Sequence, residues 1–377
     1  MSLVLFAGGG TGGHLYPALA LAEALQGVRP GTEAHFVGAR RGVEARVLPQ
    51  RGVAHTLLPF HPIYRDRVWR NATTLFGLAR SFAGLARLFA RLRPQLVVAT
   101  GGYASAPTGM MAVATRVPLA VQEQNSFPGV TVRALARYAA QVHLGFPEAT
   151  HELRRGRATE VFALGNPIRP PAAVDRPEAR ARFGLKADAT VVLVVGGSQG
   201  ARALNEALLA ALRGVAAGAL AQPPAGMQLL WATGPAHIEP IAREVEELGM
   251  AAQVKAIGYI DAMNDALASA DLAVTRAGAM ATAELLAWGV PMLLVPLPTA
   301  AADHQTHNAR AIADAGAGVH LPESTLTGEL LWSELHGLLA DADRRAAMQR
   351  AARARAHPNA AHEIALQLAR LLPETVQ

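Results

Sequence analysis

Leu3-Val4-Leu5-Phe6-Ala7-Gly8-Gly9-Gly10-Thr11-Gly12-Gly13-His14-Leu15-Tyr16 decides how this chain is read. A short apolar run ends in five glycines and a threonine, and an Ala/Leu-rich helical pattern follows from Pro17 to Leu25. That order predicts strand, glycine turn, helix. Glycine permits φ > 0 and lets a ligand approach the backbone amides closely. The helix start adds unpaired N–H groups and the positive end of a dipole. Together they form a seat for phosphate or pyrophosphate. His14 falls where the helix begins, so its imidazole can face whatever fills the seat. The dipole there favours the neutral, basic form of the ring.

Outward from this stretch, the chain has 377 residues, half of them apolar. That is enough for two domains of about 150–200 residues. With no cysteine, disulfides and cysteine-ligated zinc are excluded, and a reducing compartment is compatible. The net charge is +6, carried almost wholly by arginine, since Lys186 and Lys255 are the only lysines. A basic balance fits an anionic small substrate or lipid surface, and the absence of any long basic block argues against nucleic acid. No signal peptide is expected, because the apolar run has no basic residues before it. The uncharged stretches 94–115 and 285–302 carry Gly101, Gly102, Pro107, Pro291, Pro296 and Pro298. This density predicts buried strands with turns rather than membrane spans.

Strand and helix alternate along the first half. Strands are predicted at 3–7, 33–37, 54–58, 96–100, 118–121 and 141–145, with helices near 16–27, 43–51, 71–92 and 129–139. Gly101-Gly102-Tyr103-Ala104-Ser105 forms a second glycine turn before a helix. Residues 71–92 place Phe76, Phe82 and Phe89 among Arg80, Arg87 and Arg91, which reads either as a helix packed on a sheet or as a helix lying on an anionic membrane. Gly165-Asn166-Pro167-Ile168-Arg169-Pro170-Pro171 is the best linker. After it the opening theme returns: Thr190–Val195, then Gly196-Gly197-Ser198-Gln199-Gly200-Ala201, then a helix. Each half is therefore expected to be a doubly wound parallel sheet, with glycine turns at the carboxyl ends of its strands.

Gly8 to Gly13 satisfies G-x-G-x-x-G, but the nicotinamide reading needs an acid at the end of the second strand. That strand ends His35-Phe36-Val37-Gly38-Ala39-Arg40, with no carboxylate. An NADP-linked oxidoreductase using Arg40 or Arg41 remains an alternative, as does a non-catalytic nucleotide-sugar-binding protein. A Walker A loop is excluded, since no Lys-Ser/Thr follows the glycines. In the second half, Arg276-Ala277-Gly278-Ala279-Met280 forms another nest, and Glu284 follows it. A carboxylate there can accept both hydrogen bonds of a ribose diol. Arg169 is placed to reach a pyrophosphate. Asp303-His304-Gln305 and Asn308 are expected on a loop after a strand. Neither this group nor Asp341-Ala342-Asp343 makes a convincing metal site, and no metal or cofactor is expected.

Taken in order, Gly8–His14, Gly101-Gly102-Tyr103, Glu123-Gln124-Asn125, Gly165–Arg169, Gly196–Ala201, Arg276-Ala277-Gly278 and Asp303-His304-Gln305 resemble the MurG family. These are the bacterial peptidoglycan glycosyltransferases that convert lipid I to lipid II. The resemblance spans nearly the whole chain. It implies a GT-B fold, with residues 1–165 and a returning helix over 360–377 as an acceptor- and membrane-facing domain. Residues 166–358 would bind the nucleotide sugar, across a central cleft. It implies an inverting hexosyltransferase that moves N-acetylglucosamine from UDP-N-acetylglucosamine to the muramyl 4-hydroxyl of lipid I, in cell wall biogenesis, cell shape and division. It assigns donor contacts to Thr11, Gly12, Gly13, Asn125, Arg169, Ser198, Gly278, Ala279, Met280, Glu284, His304 and Gln305. It assigns the acceptor pyrophosphate to Gly10, Thr11, Gly12, Gly102, Tyr103 and Ser105. Phe76, Arg80, Phe82 and Phe89 become a docking patch for the anionic inner membrane, on its cytoplasmic face and without a spanning segment. Other cell-wall synthesis proteins are implied partners. One position departs: the family usually has His before Glu-Gln-Asn, and here Gln122 stands there. An amide takes no proton at neutral pH, so His14 becomes the candidate base.

Overall fold

Apolar strands are followed by helices throughout, and the computed structural model describes residues 2–60 and 71–373, with the backbone alone for 71–79. The chain divides into two units, Met1–Arg169 with Asn359–Gln377, and Pro170–Pro358.

The first unit holds β1 (Ser2–Gly8), α1 (Gly12–Val28), β2 (Thr32–Ala39), α2 (Glu44–Gln50), β3 (His55–Leu58), α3 (Asn71–Leu92), β4 (Leu96–Gly101), α4 (Ser105–Thr115), β5 (Leu119–Glu123), α5 (Val130–Leu135), β6 (Gln141–Leu144) and β7 (Glu160–Phe162). The strands form one parallel sheet in the order β3-β2-β1-β4-β5-β6-β7. Strands covered on both faces read as continuous apolar runs, and Val4, Leu5, Val97 and Val98 are all fully buried. The order reverses between β1 and β4. The turns that follow those two strands are the two glycine turns, so they meet at the switch point where open α/β sheets bind ligands.

The second unit holds α6 (Arg176–Arg182), β8 (Thr190–Val195), α7 (Arg202–Ala216), β9 (Met227–Ala232), α8 (Ile238–Glu247), β10 (Val254–Ile257), α9 (Met263–Ser269), β11 (Leu272–Thr275), α10 (Ala279–Trp288), β12 (Met292–Leu294), α11 (His304–Asp314), β13 (Gly318–His320), α12 (Gly328–Ala340) and α13 (Ala342–Arg355). Its sheet is parallel in the order β10-β9-β8-β11-β12-β13. The reversal lies between β8 and β11, and again both following turns carry the glycines. Trp231 of β9 is fully buried, and its indole N–H donates to Asn205 Oδ1 at 3.1 Å. Asn205 Nδ2 in turn donates to the Thr233 carbonyl at 2.8 Å, which ties α7 to the end of β9.

The last helix, α14 (Ala360–Ala369), packs in the first unit. It buries Ile364, Ala365 and Leu368 in one cluster with Leu21 and Leu25 of α1. Each large aliphatic side chain so buried contributes about 1.5–3 kcal/mol. Arg29 donates to the Ala369, Leu372 and Pro373 carbonyls, satisfying acceptors that a helix end leaves open.

Two expectations change here. Residues 304–308 are not loop: a 3-10 turn, Ala301–Asp303, runs straight into α11. Phe89 leaves the membrane patch, because it is only 5% exposed in the core with Leu85 and Leu88. The spacing of these three is that of a helix face packed into the core, which covers Phe89. Arg80 is exposed and Phe82 half-buried, while the Phe76 side chain and residues 61–65 lie outside the described residues. No described helix is long and apolar enough to cross a membrane.

Candidate functional site

In the first unit the two glycine turns are in contact. A Cβ on Gly102, where φ is +80°, would lie 2.0 Å from the Gly9 carbonyl oxygen. Only glycine fits that approach. A Cβ on Gly101 would meet the His14 ring at 2.6 Å, and one on Gly10 would meet the Tyr103 ring at 2.6 Å. His14, Tyr103, Gly10 and Gly102 are therefore brought together. The His14 Nδ1 lies 3.1 Å from Thr11 Oγ1. Buried Thr100 donates its hydroxyl to the His14 carbonyl at 2.7 Å, fixing the first turn of α1 to the end of β4. Thr11 and Gly13 are exposed, and Gly12 is half-exposed at the helix start.

Two residues assigned to the acceptor pyrophosphate are already engaged. Ser105 is fully buried, and its hydroxyl is taken up by the carbonyls of Ala7 and Gly101 while accepting from Gly101 N at 3.1 Å. It shapes the turn and is not presented to a ligand. The Gly10 N–H donates to Glu44 Oε2 at 2.9 Å, so it is not open to an oxyanion. Glu44 was not anticipated from sequence. It lies five residues past the end of β2, curls back under the glycine turn, is fully buried, and also accepts from Ala39 N at 2.8 Å. The acid that the strand end lacks is thus supplied from α2, facing inward, where no ribose can reach it.

Asn125 is held by a buried carboxylate as well. Glu123 Oε1 accepts from Asn125 N at 2.9 Å and from Asn125 Nδ2 at 3.0 Å, and Oε2 accepts from Gly129 N at 2.8 Å. Burial pushes the Glu123 carboxyl up, and the hydrogen bonds from Asn125 and Gly129 pull the other way. Gln122 is fully buried, with Nε2 3.3 Å from Asn166 Oδ1 and its carbonyl oxygen accepting from Gln124. Position 122 belongs to a buried amide network rather than to an open surface. Arg169 ends the first unit, exposed and 3.9 Å from Glu23, a pair too exposed to fix it.

In the second unit a cavity of about 500 Å³ opens at the switch point, lined by Gly196, Gly197, Gly200, Arg276, Gly278 and Gln305 among others. That volume suits a ligand of nucleotide size. Gly200 has φ +76°, and a Cβ there would sit 2.0 Å from the Thr233 carbonyl oxygen, so this turn is built like that of Gly102. Ser198 stands on the exposed tip of the same turn, outside the lining. Gly278 caps α10, which puts the Ala279 and Met280 amides in the helix's first turn. Arg276 is pinned at 2.5 Å by Glu323 and donates to the carbonyls of Val295 and Pro296, both at 3.1 Å. Gln305 lines the cavity, and its Oε1 accepts from Leu297 N at 3.0 Å. His304 donates Nδ1–H to the Ala301 carbonyl at 2.7 Å, which makes Nε2 the acceptor of the neutral ring. Glu284 lies on α10 with no hydrogen bond or ion pair among the described residues, and burial pushes its carboxyl up. A largely buried carboxylate without a protein partner is a group that a ligand's donors would satisfy. Sequence reasoning missed the Arg276–Glu323 pair, because nothing local links positions 47 residues apart. Among the described residues, no group of three or more His, Asp or Glu could hold a metal ion.

The chain is similar to known proteins over nearly its whole length. Residues 4–144 match the glycosyltransferase family 28 N-terminal domain, and residues 191–364 match the glycosyltransferase family 28 C-terminal domain. The chain is 41% identical over 370 residues to the UDP-N-acetylglucosamine–N-acetylmuramyl-(pentapeptide) pyrophosphoryl-undecaprenol N-acetylglucosamine transferase of Chlorobaculum parvum, covering 96% of this chain and 97% of that protein. The protein of the same name from Salinibacter ruber is 40% identical over 363 residues, covering 96% and 95%. The crystal structure of MurG from Acinetobacter baumannii superposes with a TM-score of 0.78 at 27% identity, covering 98% of this chain and all of that one. The two Rossmann-like units are those of a GT-B glycosyltransferase, and the chain belongs to glycosyltransferase family 28.

Proposed function

We propose that this protein transfers N-acetylglucosamine from UDP-N-acetylglucosamine to the muramyl 4-hydroxyl of lipid I, making lipid II for peptidoglycan. The observation that carries this reading is 41% identity across 96% of the chain to a protein named for that reaction. The geometry supports it from both units: a cavity of nucleotide size at one switch point, and a histidine beside two joined glycine turns at the other.

In this reading the uridine diphosphate lies in the second unit. Glu284 accepts the hydrogen bonds of the ribose diol. Ser198, the amides of Gly278, Ala279 and Met280, and Arg169 take the diphosphate. Gln305, through its amide nitrogen, and His304 contact the sugar, as does Asn125. Thr11, Gly12 and Gly13 serve the donor, and Thr11, Gly12, Gly102 and Tyr103 take the acceptor pyrophosphate. His14 takes the proton of the 4-hydroxyl as its oxygen attacks C1. The C1–oxygen bond to the diphosphate breaks on the opposite face, so configuration inverts and UDP leaves with the electron pair. Amides, helix dipoles and Arg169 stabilise the charge that develops on the leaving diphosphate, with no role given to a metal or cofactor. The lipid acceptor places the protein peripherally at the cytoplasmic face of the inner membrane, docked through Arg80, Phe82 and Phe76, where other cell-wall synthesis proteins are reachable partners.

Labelled UDP-N-acetylglucosamine and a lipid I analogue test the reading directly. Label should move to the lipid product. Hydrolysis alone, or UDP binding without turnover, would overturn it in favour of a non-catalytic nucleotide-sugar-binding protein.

A further inference from the structure

Glu44 is a carboxylate with no exposed surface and no ion pair among the described residues. Its ligands are backbone: Gly10 N on Oε2 at 2.9 Å and Ala39 N on Oε1 at 2.8 Å. Three glycines make room for it. A Cβ on Gly9 would lie 2.2 Å from Oε1, one on Gly42 2.1 Å from Oε2, and one on Gly38 2.5 Å from Cγ. The chain has therefore cleared side chains from three separate positions to seat one acid beneath the opening turn. Burying an acid this way is costly unless its oxygens are well bonded, so a merely space-filling role would be served better by an apolar residue.

What the acid does is set the turn. By holding Gly10 N from below, it fixes Gly10 at φ +91°, the point from which Thr11 leads into α1. It also ties this turn to the end of β2 through Ala39. The Gly10 amide is thereby taken up by Glu44 and is not offered to an anion. Gly12 and Gly13 open α1, where the first N–H groups have no acceptor within the helix. We propose that Glu44 is a positioning residue for the acceptor: it shapes the Gly8–Gly13 turn so that the acceptor's phosphates are taken at Gly12, Gly13 and Gly102, and so that His14 stands in register with the attacking hydroxyl. This rests on the assignment of the first unit to the lipid acceptor.

Glu44→Gln tests it on the full-length protein. Glutamine keeps the shape but offers an amide NH2 to one of the two backbone N–H groups, leaving that donor unsatisfied. The acceptor KM should rise about tenfold, while the donor KM and the UDP affinity measured by calorimetry stay within about twofold of wild type. Glu44→Asp, which keeps the charge but withdraws it by one methylene, should show the same acceptor-selective defect, and it carries the test if Glu44→Gln does not fold. An unchanged acceptor KM in a folded variant overturns the inference. So does a parallel loss of acceptor KM, donor KM and UDP affinity, which a purely structural role would produce. Absence of transfer by the wild-type protein would instead remove the acceptor assignment itself, and the inference with it.

Discussion

Gly102→Ala is the perturbation that most directly probes the joined turns of the first unit. The added methyl would lie 2.0 Å from the Gly9 carbonyl oxygen, 3.1 Å from its carbon and 3.3 Å from His14 Nδ1. The first two are backbone atoms, which cannot rotate away as a flexible side chain would. The residue also sits at φ +80°, where an L side chain adds about 1 kcal/mol of strain. Overpacking in a closed site adds about 1–3 kcal/mol. The sum is about 2–4 kcal/mol, and for a unit of this size each kcal/mol lowers the melting temperature by about 2–4 °C. A drop of about 5–15 °C is expected in scanning calorimetry for the transition that contains the first unit. The turn must also yield by more than an ångström, which moves Gly9 and His14 together. Displacement on that scale lowers kcat/KM for the lipid acceptor by about a hundredfold. Titration with UDP should be unaffected, because the nucleotide cavity is built wholly from the second unit. A Gly102→Ala protein with wild-type melting temperature and wild-type transfer would refute the claim that the two turns are packed to exclude a Cβ.

Four further outcomes are expected. Glu284→Ala should raise the donor KM by about 10–100-fold, the loss of hydrogen bonds to a charged group, whereas His14→Ala should mainly lower kcat; steady-state kinetics with both substrates separates the two, and a wild-type kcat for His14→Ala would remove it as the base. Burial pushes the His143 imidazole down to about 3 from its ordinary 6.5, so the folded protein refuses a proton that the unfolded chain accepts. Stability therefore falls as pH drops through that window, by about 2 kcal/mol between pH 7 and pH 5 relative to His143→Phe, and parallel denaturation curves for the two proteins at both pH values would contradict this. Phe82→Asp combined with Arg80→Glu should weaken binding to anionic liposomes and turnover of a long-chain acceptor, and no change in either would dismiss the patch. EDTA should leave the initial rate of transfer unaltered, and an activity restored only by added divalent cation would require a metal in the mechanism.

The alternation of strand and helix was legible because parallel strands buried on both faces are continuous apolar runs, and such runs stand out between glycine turns. β1, β4 and β8 lie within a residue or two of where periodicity places them. The short edge strands β7 and β13 were not legible, since three residues carry too little pattern. The helical start at His304 was hidden by a polar run that looks like loop, and it is set by the 3-10 turn before it, where Ala302 and Asp303 take φ of 52° and 54°. Phe89 was ambiguous for a related reason: a helix that packs on a sheet and a helix that lies on lipid share the same periodicity, and only the partner distinguishes them.

The sequence by itself determined that glycine-bearing turns at residues 8–13, 101–102, 196–200 and 276–278 each follow an apolar strand, because local chemistry suffices for that: strand, turn, helix start. It also located Glu284 and His14 as the titratable groups next to those turns. Tertiary structure decided which of the turn's own groups remain open. Ser105 and the Gly10 amide were equivalent to their neighbours in sequence, yet one is bonded to the Ala7 and Gly101 carbonyls and the other to Glu44. A buried polar group left unpaired is costly, so the partners that satisfy Ser105 and the Gly10 amide are chosen by the whole unit and not by their neighbours in the chain. Glu44 is the clearest case: an acid without a motif in the sequence, placed by α2 beneath the stretch from which the fold was first read.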